Sequence, residues 1–325
     1  MKILIQILII FCFSVGLNPA DAQNPDYTTW GLPEGAIARL GKGSVTGKIE
    51  FSPNNKIIAI PTSIGIWLYD ARTYKEISLL TGHTAPVEEV TFSPNGKILA
   101  SKAEWADKTI RLWDLSNRKA IGKHKATLTA HKAEIYFIEF SSDGKTLASA
   151  SEDTNVILWN PHTGEQKVTI KEHKSKITSI DLSPDNKMLA SCSFDSPILL
   201  WDTKTGKQIR TLEKNDHTIY NIEFSSDSNM IVGSTYDGIL ILWDVNTGKQ
   251  IQKFTGPGDE ASSVKFSPDQ QTLISQHYGV TVLWDVKTGK QIDEYKGYLT
   301  ISLDWNLFVR NMVISNYGMQ KRENS

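Results

Sequence analysis

The chain has 325 residues, with 35 lysines and arginines against 36 aspartates and glutamates, which gives a net charge of −1. This balance excludes the strongly basic footprint of proteins that bind nucleic acid or anionic membranes through bulk charge. With 40% hydrophobic and 22% charged residues, the chain can bury a globular core, so intrinsic disorder is excluded too. Length alone fits one to three domains.

The first 22 residues are predicted to be a secretory signal peptide. Lys2 precedes an apolar run from Ile3 to Val15, and Ala20-Asp21-Ala22 places small residues before a cleavage point at Gln23. An uncleaved membrane anchor is the alternative, but a bilayer span needs about 20 apolar residues and this run is shorter. We therefore expect an exported protein, periplasmic or secreted, with no membrane span after cleavage.

The rest of the chain repeats itself six times. An aromatic residue followed by Asp or Asn ends a short apolar run at steps of 44, 46, 42, 42 and 41 residues. A second marker, Phe or Leu followed by Ser and then Pro or Ser, lies 18 to 21 residues upstream of each pair. A period of this length is typical of propellers and solenoids. The six pairs are Tyr69-Asp70, Trp113-Asp114, Trp159-Asn160, Trp201-Asp202, Trp243-Asp244 and Trp284-Asp285.

Within one period, the pattern predicts four short antiparallel strands separated by turns. In the fourth repeat, Pro184-Asp185-Asn186 forms the first turn, and Thr205-Gly206 closes the last hairpin with Gly where φ must be positive. No segment shows a helical period, so the sequence predicts an all-β array of small sheets. The strands predicted for this repeat are Ile177–Leu182, Met188–Ser191, Ile198–Trp201 and Gln208–Leu212.

These residues resemble the WD40 repeat family of β-propellers. The resemblance covers roughly residues 36 to 315 and is carried by the Trp-Asp pairs and by Gly82-His83 upstream of the second pair. The segment Gly65-Ile66-Trp67-Leu68-Tyr69-Asp70, which follows a predicted strand at Ala36–Leu40, is also similar to WD40 arrays of exported bacterial proteins. Reduced versions of the Gly-His marker stand at Ala130-His131, Glu172-His173 and Asp216-His217.

The resemblance implies a ring of blades, and the mean step of 43 residues fits about seven of them. We expect an incomplete closing blade that joins Ala36–Leu40 to strands near Leu299–Leu303 and Leu307–Ser315. The alternative is six complete blades plus a partial one. The predicted organisation is a signal peptide at 1–22, a linker at 23–35, the propeller at 36–317 and a polar tail at 318–325.

The family resemblance also implies a hydrogen-bonded set of His, Ser or Thr, Asp and Trp inside each of four blades. The first and sixth repeats carry Ser63 and Tyr278 at the Asp position, so we expect those two blades to be held more by packing than by the polar network. The predicted members are His83, Asp107 and Trp113; His131, Ser149, Asp153 and Trp159; His173, Ser191, Asp195 and Trp201; and His217, Asp237 and Trp243.

The regular His and Asp residues suggest a metal site or an acid–base pair only at first sight. Each His belongs to a different repeat, so the four cannot converge on one ion at the roughly 2 Å that ligation requires. We therefore predict no catalytic residue, no metal and no cofactor. Cys192 lies in an apolar strand and is predicted to be an inert core thiol.

Five large aromatic residues fall in or beside the loops that carry the His and Asp residues, at one end of the predicted ring, which we term the top face. Exposed Tyr and Trp among polar groups are typical of protein-binding hot spots, although some of these rings would instead fill gaps between blades.

The sequence favours a non-catalytic, monomeric scaffold of the cell envelope that binds a protein or peptide and no nucleic acid. The alternative is a propeller enzyme (a hydrolase, a lyase or a quinone-dependent enzyme) with its site in the central channel. The candidate partner-binding residues are Trp105, Tyr136, Phe194, Tyr220 and Tyr236.

Overall fold

The computed structural model describes residues 42–117, 120–194, 196–257, 260–301 and 308–311. Within these ranges all regular structure is β, with twenty-six strands and no helix. Twenty-four strands form six four-stranded antiparallel sheets, each built from four consecutive strands in chain order. The predicted all-β, WD40-like β-propeller class is confirmed.

Each sheet is one predicted repeat, and the sheets are numbered in chain order. Sheet 1 contains β1 (Glu50–Phe51), β2 (Ile57–Thr62), β3 (Gly65–Asp70) and β4 (Glu76–Leu80). Sheet 2 contains β5 (Val87–Phe92), β6 (Ile98–Ala103), β7 (Ile110–Asp114) and β8 (Lys123–Leu128). Sheet 3 contains β9 (Ile135–Phe140), β10 (Leu147–Ser151), β11 (Val156–Trp159) and β12 (Gln166–Ile170).

The second half of the chain follows the same plan. Sheet 4 contains β13 (Ile177–Leu182), β14 (Met188–Ser193), β15 (Ser196–Asp202) and β16 (Gln208–Thr211). Sheet 5 contains β17 (Ile219–Phe224), β18 (Met230–Thr235), β19 (Ile239–Asp244) and β20 (Gln250–Thr255). Sheet 6 contains β21 (Ala261–Phe266), β22 (Thr272–His277), β23 (Val280–Asp285) and β24 (Gln291–Lys296), and a hairpin of β25 (Tyr298–Ile301) and β26 (Phe308–Asn311) follows it.

Burial decreases from the inner strands of each sheet to its outer, fourth strand. All six residues of β6 are buried, whereas all six residues of β24 are exposed. The first strands of neighbouring sheets pack side by side, β13 against β17 and β17 against β21. The first strands therefore lie innermost, around a central channel, and the fourth strands form the outer rim.

The core lies between neighbouring sheets. Trp201 of sheet 4, for example, packs with Leu158 and Ile170 of sheet 3 in one buried cluster. Burying a large apolar side chain contributes about 1.5–3 kcal/mol, and the tryptophan that ends each third strand from sheet 2 onward supplies such a side chain at every seam. This placement accounts for five of the nine tryptophans.

The Ser and Asp residues of the sequence markers lie in turns at the end of the ring opposite the top face, and their side chains form the hydrogen bonds that close these turns. The Ser183 hydroxyl donates to Asp185 Oδ1 (2.6 Å) and accepts the Met188 N–H (2.9 Å), which closes the turn after the first strand. After the third strand, the Thr205 N–H and hydroxyl both donate to Asp202 Oδ1 at 2.7 Å. These bonds explain why Ser follows the aromatic marker and why Asp follows Trp.

The closing blade remains a prediction. β25 and β26 form a two-stranded antiparallel sheet after sheet 6. The strand expected at Ala36–Leu40 lies outside the described residues, as do the predicted signal peptide, the linker and the polar tail. The six four-stranded sheets and one hairpin are compatible with both blade counts.

Candidate functional site

In sheet 2, the predicted polar set is closed and buried. His83 Nδ1 lies 2.8 Å from Asp107 Oδ2, and its Nε2 lies 2.8 Å from the hydroxyl of Ser101, a residue that the sequence did not single out. Trp113 Nε1 donates to the same hydroxyl at 2.9 Å. Although burial disfavours its charged form, hydrogen bonds from His83, Thr109 and the backbone hold the pKa of Asp107 below its usual value.

Sheet 3 repeats this arrangement residue for residue. His131 Nδ1 lies 3.0 Å from Asp153 Oδ2, its Nε2 lies 2.8 Å from Ser149 Oγ, and Trp159 Nε1 donates to Ser149 Oγ at 2.9 Å. Burial lowers the pKa of His131 despite the nearby carboxylate, so the imidazole is neutral at pH 7. The neutral ring is satisfied when Nδ1–H donates to Asp153 and Nε2 accepts the Ser149 hydroxyl.

Sheet 4 holds three of its four predicted members together. His173 Nε2 lies 2.6 Å from Ser191 Oγ, and Trp201 Nε1 donates to Ser191 Oγ at 2.7 Å. Burial lowers the pKa of His173 to about 4. The fourth predicted member, Asp195, lies outside the described residues.

Sheet 5 departs from the prediction, because its polar set does not assemble around the tryptophan. Gly233 occupies the serine position, and a Cβ there would lie 3.0 Å from the Trp243 ring. Trp243 Nε1 donates instead to the Glu213 carbonyl oxygen at 3.1 Å. His217 still pairs with Asp237 (2.7 Å), but their side chains are 23% and 51% exposed.

The released pair of sheet 5 is therefore a surface feature and has lost its core position. Lys253 Nζ lies 3.1 Å from His217 Nε2, on the side where serine stands in the closed sets. His83 of sheet 2, by contrast, has a side chain only 2% exposed. The same two residue types thus have a structural role in sheets 2 and 3 and reach solvent in sheet 5.

Sheet 6 corrects a second expectation. Packing was predicted to hold it more than a polar network does, yet Trp284 Nε1 donates to Ser275 Oγ (2.8 Å), which lies 2.8 Å from Nε2 of the fully buried His277. Ser275 and His277 are two residues apart on β22 and therefore share a face, which is the signal that would have identified them. In sheet 1, Tyr69 stands at the tryptophan position, and Trp67 Nε1, two residues earlier, donates to the Lys42 carbonyl oxygen at 3.0 Å.

Four of the five candidate partner-binding aromatics are exposed. Trp105 is 71% exposed and Tyr236 68%, and Phe194 and Tyr220 also reach solvent. Tyr136 is half-buried, and Lys176 Nζ stands 3.7 Å from its ring centroid in a cation–π contact. The structure therefore brings the Trp105, Phe194 and Tyr236 loops to the surface and fastens Tyr136 to a neighbouring loop.

Two further exposed apolar residues occupy the same loop, between the second and third strands, in other sheets. These are Ile64 in sheet 1 and Tyr278 in sheet 6, which is 81% exposed. Tyr278 directly follows its second strand, as Phe194 and Tyr236 do, so position in the repeat was an available signal. Together, Ile64, Trp105, Phe194, Tyr236 and Tyr278 form what we call the apolar rim.

A groove on the top face separates sheets 4 and 5. It has a volume of about 390 Å³ and is lined on one side by Phe194 and Pro197 and on the other by the loop that holds Lys214, Asp216 and His217. Tyr236 lies close by, since its N–H donates to the Thr218 carbonyl oxygen. The released His217–Asp237 pair thus borders the groove.

The central channel holds acidic residues that the sequence argument did not identify. Each stands next to the end of a first strand, and each accepts the backbone N–H of a residue in the next sheet. Burial raises the pKa of Glu50 and of Glu223 to about 7. Alternation of apolar and polar residues in the sequence gave no reason to place these carboxylates in a common channel.

Other kinds of site receive no support from the parts of the chain that the structure describes. Within them, no group of three or more His, Cys, Asp or Glu side chains is arranged to hold a metal ion. Over the same residues, no helix is long and apolar enough to cross a membrane. Cys192 is fully buried, and burial raises the pKa of its thiol to about 12.

Comparison with known proteins identifies the repeats. The family model "WD domain, G-beta repeat" matches residues 74–114, 122–160, 164–202 and 206–244. The chain is 33% identical over 75 residues to Periodic tryptophan protein 2 homolog of Schizosaccharomyces pombe, which covers 22% of this chain and 8% of that protein. It is 31% identical over 114 residues to Meiotic recombination protein rec14 of the same yeast, which covers 32% of this chain and 37% of the relative.

A mouse Periodic tryptophan protein 2 homolog is 43% identical over 53 residues, 16% of this chain and 6% of the relative. The chain thus spans well under half of the length of each of these relatives. They are proteins of fungi and a mammal, and none is named as secreted or periplasmic. The predicted export, with its periplasmic or secreted location, is therefore wrong, and the signal-peptide interpretation on which it rested gains no support.

Each matched segment runs from the fourth strand of one sheet through the third strand of the next, so the four segments together extend from β4 to β19. The family repeat is therefore offset by one strand from the four-stranded sheet, and each of its copies ends at the Trp-Asp or Trp-Asn pair that ends a third strand. The chain belongs to the WD40 repeat family.

Proposed function

We propose that this protein is a non-catalytic scaffold that binds a polypeptide partner on its top face, across the apolar rim and the groove between sheets 4 and 5. WD40 repeat proteins typically act as protein-interaction scaffolds and generally lack enzymatic activity. The observation that carries the proposal is the repeated exposure of one large apolar side chain in the same loop of five sheets.

The two ends of the ring differ in kind. At the top, each loop between the second and third strands presents an exposed apolar residue except in sheet 3, where the polar Glu152 follows β10. At the other end, the turns are built from Ser, Pro, Asp, Asn, Thr and Gly, whose polar groups close the turns themselves. Tyr and Trp anchors surrounded by polar groups are the residues that dominate protein–protein binding energy.

The groove gives this surface a recess in which a partner side chain can be buried. Phe194 supplies an apolar wall, and Lys214, Asp216 and His217 supply hydrogen-bonding groups on the facing side. Hot spots concentrate where an apolar anchor enters a pocket and polar groups fix its orientation. The net charge of −1 favours a protein partner over nucleic acid.

The rival function, an enzyme with a site in the channel, is less well supported. The channel carboxylates already accept backbone N–H groups of the neighbouring sheets, so they serve as bonds between blades. The closed His sets of sheets 2 and 3 are buried against Trp and Ser and have no access to a substrate. We therefore propose binding without catalysis, by a monomeric ring.

The test is a binding measurement on an identified partner. Chemical crosslinking and mass spectrometry of the full chain name the partner, and the recombinant pair is then titrated by calorimetry. Phe194→Ala combined with Tyr236→Ala should weaken the interaction at least 30-fold, because two hot-spot truncations cost about 2 kcal/mol or more together.

The matched control is Ile251→Ala, which removes an apolar side chain that is 52% exposed on the outer strand β20. This variant should bind within twofold of the unaltered protein, because it lies on the circumference. Equal weakening by both variants, or no weakening by the rim variant, would refute the top face as the binding surface.

A further inference from the structure

The first strands are joined to one another through their side chains as well as through packing. Glu139 of sheet 3 accepts the Leu182 N–H of sheet 4 at 3.2 Å, and Asp181 of sheet 4 accepts the Phe224 N–H of sheet 5 at 2.5 Å. Glu223 of sheet 5 continues the series by accepting the Phe266 N–H of sheet 6 at 3.0 Å. Three successive seams are thus bridged by a carboxyl group from the preceding sheet.

The same bond recurs on the other side of the ring. Glu50 of sheet 1 accepts the Phe92 N–H of sheet 2 at 3.1 Å. The donors stand 42 or 43 residues after their acceptors, which is the repeat period. At the equivalent position, next to the last residue of the first strand, sheet 2 carries Thr91 and sheet 6 carries Lys265 instead of a carboxyl group.

Two of these carboxyl groups also contact each other. Glu139 and Asp181 share a hydrogen bond, which is possible only when one of them carries a proton. Burial, followed by the nearby Asp181 charge, raises the pKa of Glu139 well above its usual value. Burial also raises the pKa of Asp181, although the bonds from Glu139 and from the Phe224 N–H act in the opposite direction.

Neighbouring charged residues act on the Glu139–Asp181 pair in opposite directions. Glu223 adds a like charge beside Glu139, whereas Lys265 favours the charged form of Asp181. Further round the channel, burial raises the pKa of Glu89 to about 8 despite Lys102. The charged groups that act on these buried carboxyl groups or belong to them are Lys48, Glu50, Glu88, Glu89, Lys102, Glu139, Asp181, Glu223 and Lys265.

We propose that Glu139 and Asp181 form a proton-dependent clasp, in which one shared proton fastens sheet 3 to sheet 4 and its loss loosens the seams on both sides of sheet 4. With the proton present, the two carboxyl groups attract each other and each keeps its bond to the next sheet. Without it, two carboxylates face each other in a poorly solvated channel, and their repulsion is relieved when the sheets separate.

The sign of the pH effect follows from linkage. A carboxyl group whose pKa is raised in the folded chain holds its proton at pH values where the unfolded chain has released it. Its stabilising contribution is full below the unfolded value of about 4 and is lost as the pH rises through the folded value. The clasp therefore tightens from mildly alkaline toward mildly acidic pH, the reverse of the usual behaviour of surface carboxylates.

The experiment is hydrogen exchange, read at the two amides that the clasp protects. In the unaltered full chain, exchange of the Leu182 and Phe224 amides, corrected for its intrinsic pH dependence, should accelerate at least tenfold between pH 5.5 and 8.5. Asp181→Asn should abolish most of that acceleration. Its carboxamide accepts the Phe224 N–H and donates to Glu139 at every pH, so the two side chains stay hydrogen-bonded without a shared proton.

Glu172→Gln is the matched control, since it removes an exposed carboxylate from the loop between sheets 3 and 4, away from the channel. In this variant, exchange of the Leu182 and Phe224 amides should accelerate with pH as it does in the unaltered chain. Corrected exchange at Leu182 and Phe224 that does not change with pH in the unaltered chain would overturn the clasp. The same pH response in Asp181→Asn as in the control would also overturn it, and amides of β6 report whether the variant is folded.

Discussion

Removing the Ser149 hydroxyl tests whether the His-centred sets stabilise the blades. In sheet 3 this hydroxyl is bonded to His131 Nε2 at 2.8 Å and to Trp159 Nε1 at 2.9 Å, in surroundings without solvent. Ser149→Ala leaves a buried donor and a buried acceptor unpaired, and each such group costs about 1–3 kcal/mol. We expect the free energy of unfolding to fall by about 2–4 kcal/mol.

The assay is guanidinium unfolding followed by tryptophan fluorescence, with Ser234→Ala as control. Ser234 is equally buried, but its hydroxyl has no hydrogen-bond partner among the residues that the structure describes. Truncation there deletes one atom without breaking a bond, so stability should change by less than about 0.5 kcal/mol. Equal losses in the two variants would mean that the polar set contributes nothing beyond packing.

Three further predictions concern acid stability, thiol reactivity and a tight turn. Asp107→Asn should flatten the loss of stability below pH 4, because a depressed pKa gives stability that is present above the unfolded value and is lost as the pH falls; a melting series from pH 2 to 6 measures it, and an unchanged acid limb contradicts it. Cys192 should react with a disulfide reagent only as fast as the chain unfolds, since its buried thiol has a pKa of about 12; rapid labelling of the native protein would contradict this. Gly206→Ala should destabilise more than Gly279→Ala, by about 1 kcal/mol or more, because both glycines have positive φ but only the former would bring a Cβ to 2.3 Å from Val168; equal melting temperatures would contradict the steric reasoning.

Sequence reasoning was strongest where one residue type has one local use. The Ser and Asp markers predicted turns because their hydrogen bonds close within a few residues, as those of Ser183 and Asp202 do. The alternation of apolar residues then fixed the strands between these turns. Local chemistry of this kind needs no knowledge of which sheets become neighbours.

Contacts between repeats were harder to predict. The bond that the Phe224 N–H donates to Asp181 joins residues 43 positions apart and exists only because consecutive sheets pack around an axis. In sheet 5, Gly233 stands where other sheets carry Ser. Trp243 therefore has a different hydrogen-bond partner and His217 lies closer to solvent, an outcome that depends on the space left in the core. His277 was missed because its set uses two residues of one strand, whereas the family pattern joins two loops.

The location of the protein was mispredicted for a different reason. An apolar N-terminal run followed by small residues is a composition pattern, and it lies outside the repeats that identify the family. The relatives that share the repeats are fungal and mammalian proteins, and the likeness lies in the WD40 segments. Those segments identify the family and begin at residue 74.

A crosslink map tests most directly whether a protein partner binds across the apolar rim. A photoreactive amino acid is placed at Tyr236 and Tyr278 on the rim, and at Ile251 and Ile292 on the outer strands, in the complex with the identified partner. We predict crosslinks from both rim positions and none from the outer strands. Crosslinks confined to Ile251 and Ile292, or to the turns at the opposite end, would contradict the claim.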